Sequence, residues 1–330
     1  MENTTQQLDA VVTTFPAARY IKEIGRGKNG ARNMTREDAT SLYEAMLAGR
    51  VSDLELGAIL LSMRIKGEST EEIAGFLSAS KAFVMPLGAP ADCLYAPVII
   101  PSYNGARKKA NLTPLLALLL ARCGVPVLVH GVTQDAGRVT TAEIFSQLNV
   151  PQLNTAEQVS VQIALRQPAF IAIDSLSPAM SGLLNLRRIL GVRNSTHTLV
   201  KLLQPFTTPA LRLTSYTHPE YQQMLQRFFA QYADHREGDV FLMRGTEGET
   251  VANIGRAQRI DWLHGGLCET LVDTQESLIG SAPEAPDHLD AKSTAQWITA
   301  VLSGEIAVPA NIALQVEYCV KLAKQIKERN

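Results

Sequence analysis

Residues 96–123 read Ala96-Pro-Val-Ile-Ile-Pro-Ser-Tyr-Asn-Gly-Ala-Arg-Lys-Lys-Ala-Asn-Leu-Thr-Pro-Leu-Leu-Ala-Leu-Leu-Leu-Ala-Arg-Cys123. Val98, Ile99 and Ile100 form a short, continuously apolar run, the mark of a strand buried on both faces. From Thr113 the pattern switches to a buried helix. Thr113 is expected as its N-cap, Pro114 suits the first helical position, and residues 115–121 are apolar nearly all round. Gly124 closes it. The loop between strand and helix carries Arg107, Lys108 and Lys109 with one glycine, Gly105. α/β proteins place anions on such loops, because backbone N–H groups and the helix dipole converge there. This loop is therefore expected to grip phosphate with side chains rather than with a glycine-rich backbone.

Working outward, the same alternation continues downstream. Candidate strands lie at 96–100, 125–130, 169–174, 210–215 and 239–244, with a further one at 267–272. Helices fit at 113–123, 141–148, 155–165, 181–190, 218–232, 293–303 and 309–328. Strand–helix alternation implies a largely parallel sheet. The segment 277–292, rich in Pro and Asp, reads as a surface loop. Upstream, residues 1–90 read as helical. Thr35 with Asp38, Ser52 with Glu55, and Ser69 with Glu72 each supply a start signal, and Gly49 and Gly67 supply stops. Before them Arg19, Lys22, Arg26, Lys28 and Arg32 cluster around Gly25, Gly27 and Gly30, which reads as a basic, flexible leading segment.

With 330 residues, 46% hydrophobic and 19% charged, the chain can bury a sizeable core in one large domain or two ordinary ones. No run of 18 apolar residues occurs and the N-terminus lacks the features of a signal peptide, so a cytoplasmic protein is expected. Cys93, Cys123, Cys268 and Cys319 are widely spaced, which suggests neither a zinc site nor disulfides. No metal or other cofactor is implied. The net charge of −1 conceals a segregation. Between Cys93 and Gln134, and again between Ser175 and Pro219, there is no acid. Seven acids gather between Gly265 and Glu305, among them Glu276 and Glu284, against Lys292 alone. One basic and one acidic face are expected, with a polyanionic partner for the first.

The helical block from Met34 to Gly75 resembles the N-terminal domain of anthranilate phosphoribosyltransferases and pyrimidine nucleoside phosphorylases. The resemblance continues through Val129-His130-Gly131, Pro178-Ala-Met180, Arg187-Arg188-Ile-Leu-Gly191 and Met243-Arg-Gly-Thr-Glu-Gly-Glu249, covering most of residues 20–250. It implies an α/β protein with a small N-terminal helical domain (1–90, completed by 178–203) and a larger α/β domain (91–177 and 204–330) with a mainly parallel sheet. It also implies a homodimer through the helical domain.

Three departures bear on function. Where that family has a Gly-Thr-Gly-Gly-Asp loop, this chain has Pro101 to Lys109, without the glycines that admit phosphate to backbone N–H groups. Where it has Lys-His-Gly-Asn-Arg, only His130 and Gly131 remain. Where it has an adjacent Asp-Glu pair for magnesium, Glu247 and Glu249 stand apart, a poor match to octahedral demands. These losses point away from catalysis. The chain is more similar still to the YbiB-type branch, which implies sequence-nonspecific binding of DNA or RNA, single strands included. The candidate nucleic-acid-binding residues are Arg107, Lys108, Lys109, Arg187, Arg188, Arg193, Lys201, Arg212, Arg26 and Lys28, with no catalytic or metal-binding residue. Arg187, Arg188 and Arg193 fall near the family's aromatic-acid and hinge region. Tyr103 is a candidate for stacking on a base, or for packing. His130 reads as a core or hinge histidine. The alternative is a glycosyltransferase, either a phosphoribosyltransferase or a nucleoside phosphorylase, with an atypical phosphate loop.

Overall fold

Ser or Thr followed three residues later by Glu or Gln closes a reciprocal capping box at four helix starts: Ser52–Glu55, Ser69–Glu72, Thr140–Glu143 and Thr155–Gln158. The computed structural model describes residues 14–27, 29–232, 234–274 and 285–329. Its helical block comprises α1 (Ala18–Ile24), α2 (Arg36–Leu47), α3 (Asp53–Lys66) and α4 (Thr70–Ser80). The leading segment expected to be flexible contains α1, because Tyr20 and Ile24, four residues apart, share one buried face. Lys28, Glu276, Glu284 and the 277–284 part of the expected loop lie outside the described residues.

The α/β part runs β1 (Val98–Ser102), α5 (Thr113–Arg122), β2 (Val127–Gly131), α6 (Thr141–Gln147), β3 (Gln152–Leu153), α7 (Ala156–Ala164), β4 (Ala169–Ala172) and α8 (Ile173–Leu176). The chain then returns to the helical block through α9 (Pro178–Asn185), α10 (Arg187–Leu190) and α11 (Thr196–Leu199), where one helix over 181–190 was expected. It resumes with β5 (Ala210–Tyr216), α12 (Pro219–Tyr232), β6 (Gly238–Arg244), β7 (Ile260–His264), β8 (Leu267–Val272), α13 (Ala291–Ser303) and α14 (Ala310–Arg329). Short β3 and β7 escape the sequence reading. Helix α5 begins one residue earlier than a Thr113 cap requires. Asn111 Oδ1 accepts the Thr113 N–H at 3.2 Å instead, and the Thr113 hydroxyl is buried without a partner.

One eight-stranded sheet takes the order β3-β4-β2-β1-β5-β6-β7-β8, parallel as far as β6 and antiparallel beyond. Strand alternation splits the apolar residues between two cores. Val98, Ile100, Leu211 and Leu213 join α5, α13 and α14 on one face. On the other, Ile99 and Leu128 share a core with Leu42, Phe76, Met180 and Leu199 of the helical block. The Tyr43 hydroxyl lies 2.9 Å from Thr196 Oγ1, which ties α2 to α11. This continuous core sets the helical block over the C-terminal ends of β1, β2, β5 and β6. Among the described residues no helix is long and apolar enough to cross a membrane.

Candidate functional site

The C-terminal ends of parallel strands are where α/β sheets bind ligands, and here a cleft of about 380 Å³ opens between them and the helical block. The helical side contributes Arg64, Glu68, Arg193, His197 and Lys201; the strand-end loops contribute Asn104, Arg138, Thr214–His218 and Glu247. Asn194 fixes the segment that carries the cations. Its Oδ1 accepts the Thr196 N–H at 3.1 Å and its Nδ2 donates to Leu183 O at 2.7 Å.

Four cations, Arg64, Arg138, Arg193 and Lys201, therefore face two carboxylates, Glu68 and Glu247. Burial first, then the charges of Arg187 and Arg138, lowers the Arg193 pKa. Burial pulls Lys201 down to about 8; Glu249 opposes that shift and Arg193 reinforces it. Burial, with Arg193 and Arg187 next, depresses His197 to about 4, so its ring is neutral at physiological pH. Such mutual repulsion marks a pocket short of negative charge, and a bound phosphate would supply it.

Next to this cationic wall the β1–α5 loop is closed by a turn of the chain itself. Glu249 Oε1 accepts the N–H groups of Asn104 (2.8 Å) and Gly105 (2.7 Å). Glu247 accepts those of Arg107 (3.1 Å) and Lys108 (2.7 Å). Asn104 Nδ2 donates to Gly248 O at 2.7 Å, and Arg193 Nη2 donates to Asn104 Oδ1 at 3.0 Å. Arg138 Nη1 donates to Gly105 O at 3.2 Å and lies 3.9 Å from Glu247.

The basic residues expected to form one groove are dispersed. Arg193 and Lys201 line the cleft, whereas Lys108 and Lys109 line smaller cavities beside Asn253. Arg107 is exposed, and Arg187, also exposed, lies 3.7 Å from Asp135. Arg188 is exposed at the surface of α10. Arg26 pairs with Glu23 at 2.6 Å. Arg212 is buried within β5, where it donates to Glu237 at 3.0 Å and lies over Phe229, facing a different cavity under α12. Acid-free stretches of sequence thus receive acids from other stretches on folding. Tyr103 is no base-stacking platform: it is buried edge-on against His130, with its hydroxyl 2.7 Å from Nδ1. His130 is fully buried, in keeping with a core role, and burial lowers its pKa to about 3.

Arg64, Arg138, Glu68, His197 and Asn104 are not singled out by the sequence. The rule that points to Arg107, a cation in a strand-to-helix loop, applies equally to Arg138 between β2 and α6. Arg64 and Glu68 carry no local signal, since they reach the cleft only through helix packing.

The profile of the glycosyl transferase family helical bundle domain matches residues 18–83, and that of the glycosyl transferase family a/b domain matches 104–328. The chain is 42% identical over 303 residues to the uncharacterized protein YbiB of Escherichia coli K12, covering 92% of each. It is 27% identical to the anthranilate phosphoribosyltransferase of Rhodopseudomonas palustris BisA53, over 88% of this chain and 84% of that one. The anthranilate phosphoribosyltransferase TrpD of Thermus thermophilus shares the fold with a TM-score of 0.72 at 23% identity, over 94% and 91% of the two chains. The Saccharomyces cerevisiae enzyme, solved in complex with PRPP and Mg, superposes with a TM-score of 0.66 at 14% identity, over 95% and 92%. These matches overturn the expectation of a DNA- or RNA-binding protein. The profiles and the named relatives of known activity are glycosyl and phosphoribosyl transferases, and the dispersal of the basic residues supplies the physical reason.

Proposed function

Given that this chain belongs to the glycosyl transferase family built from these helical-bundle and α/β domains, we propose that its cleft binds a phosphorylated sugar and transfers the glycosyl group. The observation that carries this reading is the cluster of Arg64, Arg138, Arg193 and Lys201 at the strand ends, two positive charges in excess of the facing carboxylates. In glycosyl transfer from a sugar phosphate, the bond between the anomeric carbon and the phosphate oxygen breaks and its electron pair leaves on phosphate. An acceptor nucleophile then bonds to the carbon, and its proton passes to the released phosphate. Preorganised cations at the departing oxygen stabilise the charge that develops there, in a site where little reorganisation is needed. Hydroxyls of Thr198, Thr214, Ser215 and Thr217 line the same space and can orient sugar hydroxyls.

The site does not fit a resident magnesium ion. Glu247 and Glu249 keep one unpartnered oxygen between them, Glu249 Oε2, and the remainder accept backbone N–H groups. No cluster of three potential ligands gathers among the described residues. Near-octahedral oxygen coordination needs more. The charge stabilisation is therefore assigned to the side-chain cations of the cleft.

Isothermal titration tests the reading. Ribose 1-phosphate, which carries the anomeric phosphate, should bind and ribose should not, and Arg193→Met with Lys201→Met should abolish binding. Equal affinity for ribose and its phosphate would refute it.

Pairing of two copies through α3 belongs to the same reading. Leu54, Leu61 and Ile65 stand exposed along one stripe of that helix, at 86%, 47% and 55%, and a second copy would cover them. Light scattering should give twice the chain mass, falling to the monomer mass in Leu61→Glu.

A further inference from the structure

The turn Thr246-Glu247-Gly248-Glu249 is built at some conformational cost. Glu247 has φ +55° and Gly248 φ +93°, with Thr246 and Glu249 exchanging N–H···O bonds of 3.0 Å. A non-glycine residue in the left-handed region is uncommon, and where it occurs the surroundings hold it for a purpose. Gly248 is required here by contact as well, since a Cβ would lie 2.3 Å from Asn104 Nδ2. What this turn achieves is delivery of two carboxylates to one loop. Four N–H groups of that loop, those of Asn104, Gly105, Arg107 and Lys108, all end on Glu249 or Glu247.

Paired backbone N–H groups at a strand-to-helix loop are the donors with which such loops hold phosphate oxygens. In this chain they are already engaged by internal anions. Glu249 is only 1% exposed, so its charge relies on those donors in place of water. An incoming phosphate would have to strip them from a buried carboxylate and then sit beside it, a like-charge contact. The remaining anion position is the side-chain cluster of Arg138, Arg193 and Lys201.

We infer that Glu247 and Glu249 are specificity-determining residues: by filling the anion positions of the β1–α5 loop they restrict the cleft to sugars that present one phosphate and reject a pyrophosphate group. This rests on the sugar-phosphate reading above and narrows its substrate class to sugar monophosphates. Gly105, at φ +61°, holds the loop in place to receive them; a Cβ there would lie 2.9 Å from Val139 O.

The test titrates wild type and a Glu247→Ala/Glu249→Ala double variant with ribose 1-phosphate and with inorganic pyrophosphate by calorimetry. In wild type, ribose 1-phosphate binds at least about tenfold more tightly than pyrophosphate; in the double variant the ratio moves toward pyrophosphate by about tenfold or more. An unchanged ratio in a variant that melts cooperatively overturns the inference, as does wild type that prefers pyrophosphate. Should the double variant fail to fold, amide hydrogen exchange on wild type decides. Exchange at Asn104, Gly105 and Lys108 should be indifferent to pyrophosphate, and slowing there overturns the inference. A wild type that binds neither ligand refutes the sugar-phosphate reading, whereas an unchanged ratio in a double variant that still binds ribose 1-phosphate overturns the loop inference alone, so the two failures are distinguishable.

Discussion

Lys201 links the cleft's chemistry to pH. Burial, reinforced by Arg193, brings its pKa to about 8, so it is largely protonated at neutral pH and loses its charge just above. A charge-assisted bond from its ammonium to a phosphate contributes about 2 kcal/mol. By linkage, that raises its pKa in the complex by about 1.5 units. Between about pH 7 and pH 9 the Kd for ribose 1-phosphate should therefore rise roughly eightfold, because most free protein, but little of the complex, has lost the proton. The ligand's own second ionisation, near pH 6, is complete over that range and adds nothing. Lys201→Met should bind about 30-fold more weakly at pH 7 and show a flat profile. Calorimetry in buffers of different ionisation enthalpy would also register proton uptake on binding near pH 8.5 in wild type alone. In the free protein the sign is reversed. The folded pKa lies below the unfolded value near 10.4, so the protonated group costs stability below pH 8, and that cost is relieved as pH rises from about 8 to 10.4. A wild-type profile as flat as that of the variant would refute the placement of Lys201 at the phosphate.

Three further expectations concern the scaffold. Glu72 is fully buried and accepts from Lys66 Nζ (2.6 Å), Met34 N (2.9 Å) and Ser69 N (2.8 Å). Glu72→Ala takes the counter-charge from that buried lysine, leaving it the neutral acceptors Asn33 Oδ1 and Gly67 O at 2.8 Å each, and should cost about 3–5 kcal/mol in urea unfolding, with a loss below about 1 kcal/mol counting against the network. At Gly131 a Cβ would lie 1.8 Å from Ser102 O. Gly131→Ala should therefore prise apart the ends of β1 and β2, cost about 3 kcal/mol, and weaken sugar-phosphate binding with it; a wild-type melting temperature would show the contact to be looser. His130 is held neutral in the fold with its pKa at about 3. Unfolded chains take up a proton below about pH 6.5, so this site lowers stability as pH falls, by up to about 1.4 kcal/mol per pH unit. His130→Asn should remove that component from the urea midpoint series, and parallel series would refute it.

Periodicity and capping residues, which act over one or two turns of chain, made most helices and the central strands legible. Thr35, Ser52 and Ser69 cap as their spacing implies, and Thr140 and Thr155 cap by the same rule. The run 98–100 is buried on both faces because a core packs on each side of β1, Val98 and Ile100 in one and Ile99 in the other. Short β3 and antiparallel β7 leave no clear pattern, since neighbouring strands rather than their own composition hold them. The site is legible only in outline. The sequence points to the side chains of the β1–α5 loop, and gives no sign of what engages its backbone. Folding brings Glu247 and Glu249, 139 to 145 residues away in sequence, onto the backbone N–H groups of that loop. It likewise places Arg64, Glu68 and Arg193 of the helical block opposite Arg138 and Glu247, while sending Arg212 into the interior. A linear count of charge locates cations along the chain. Which of them lack a counter-charge is a property of through-space distance, falling off over a few ångströms, and only the packing of the helical block on the sheet sets those distances.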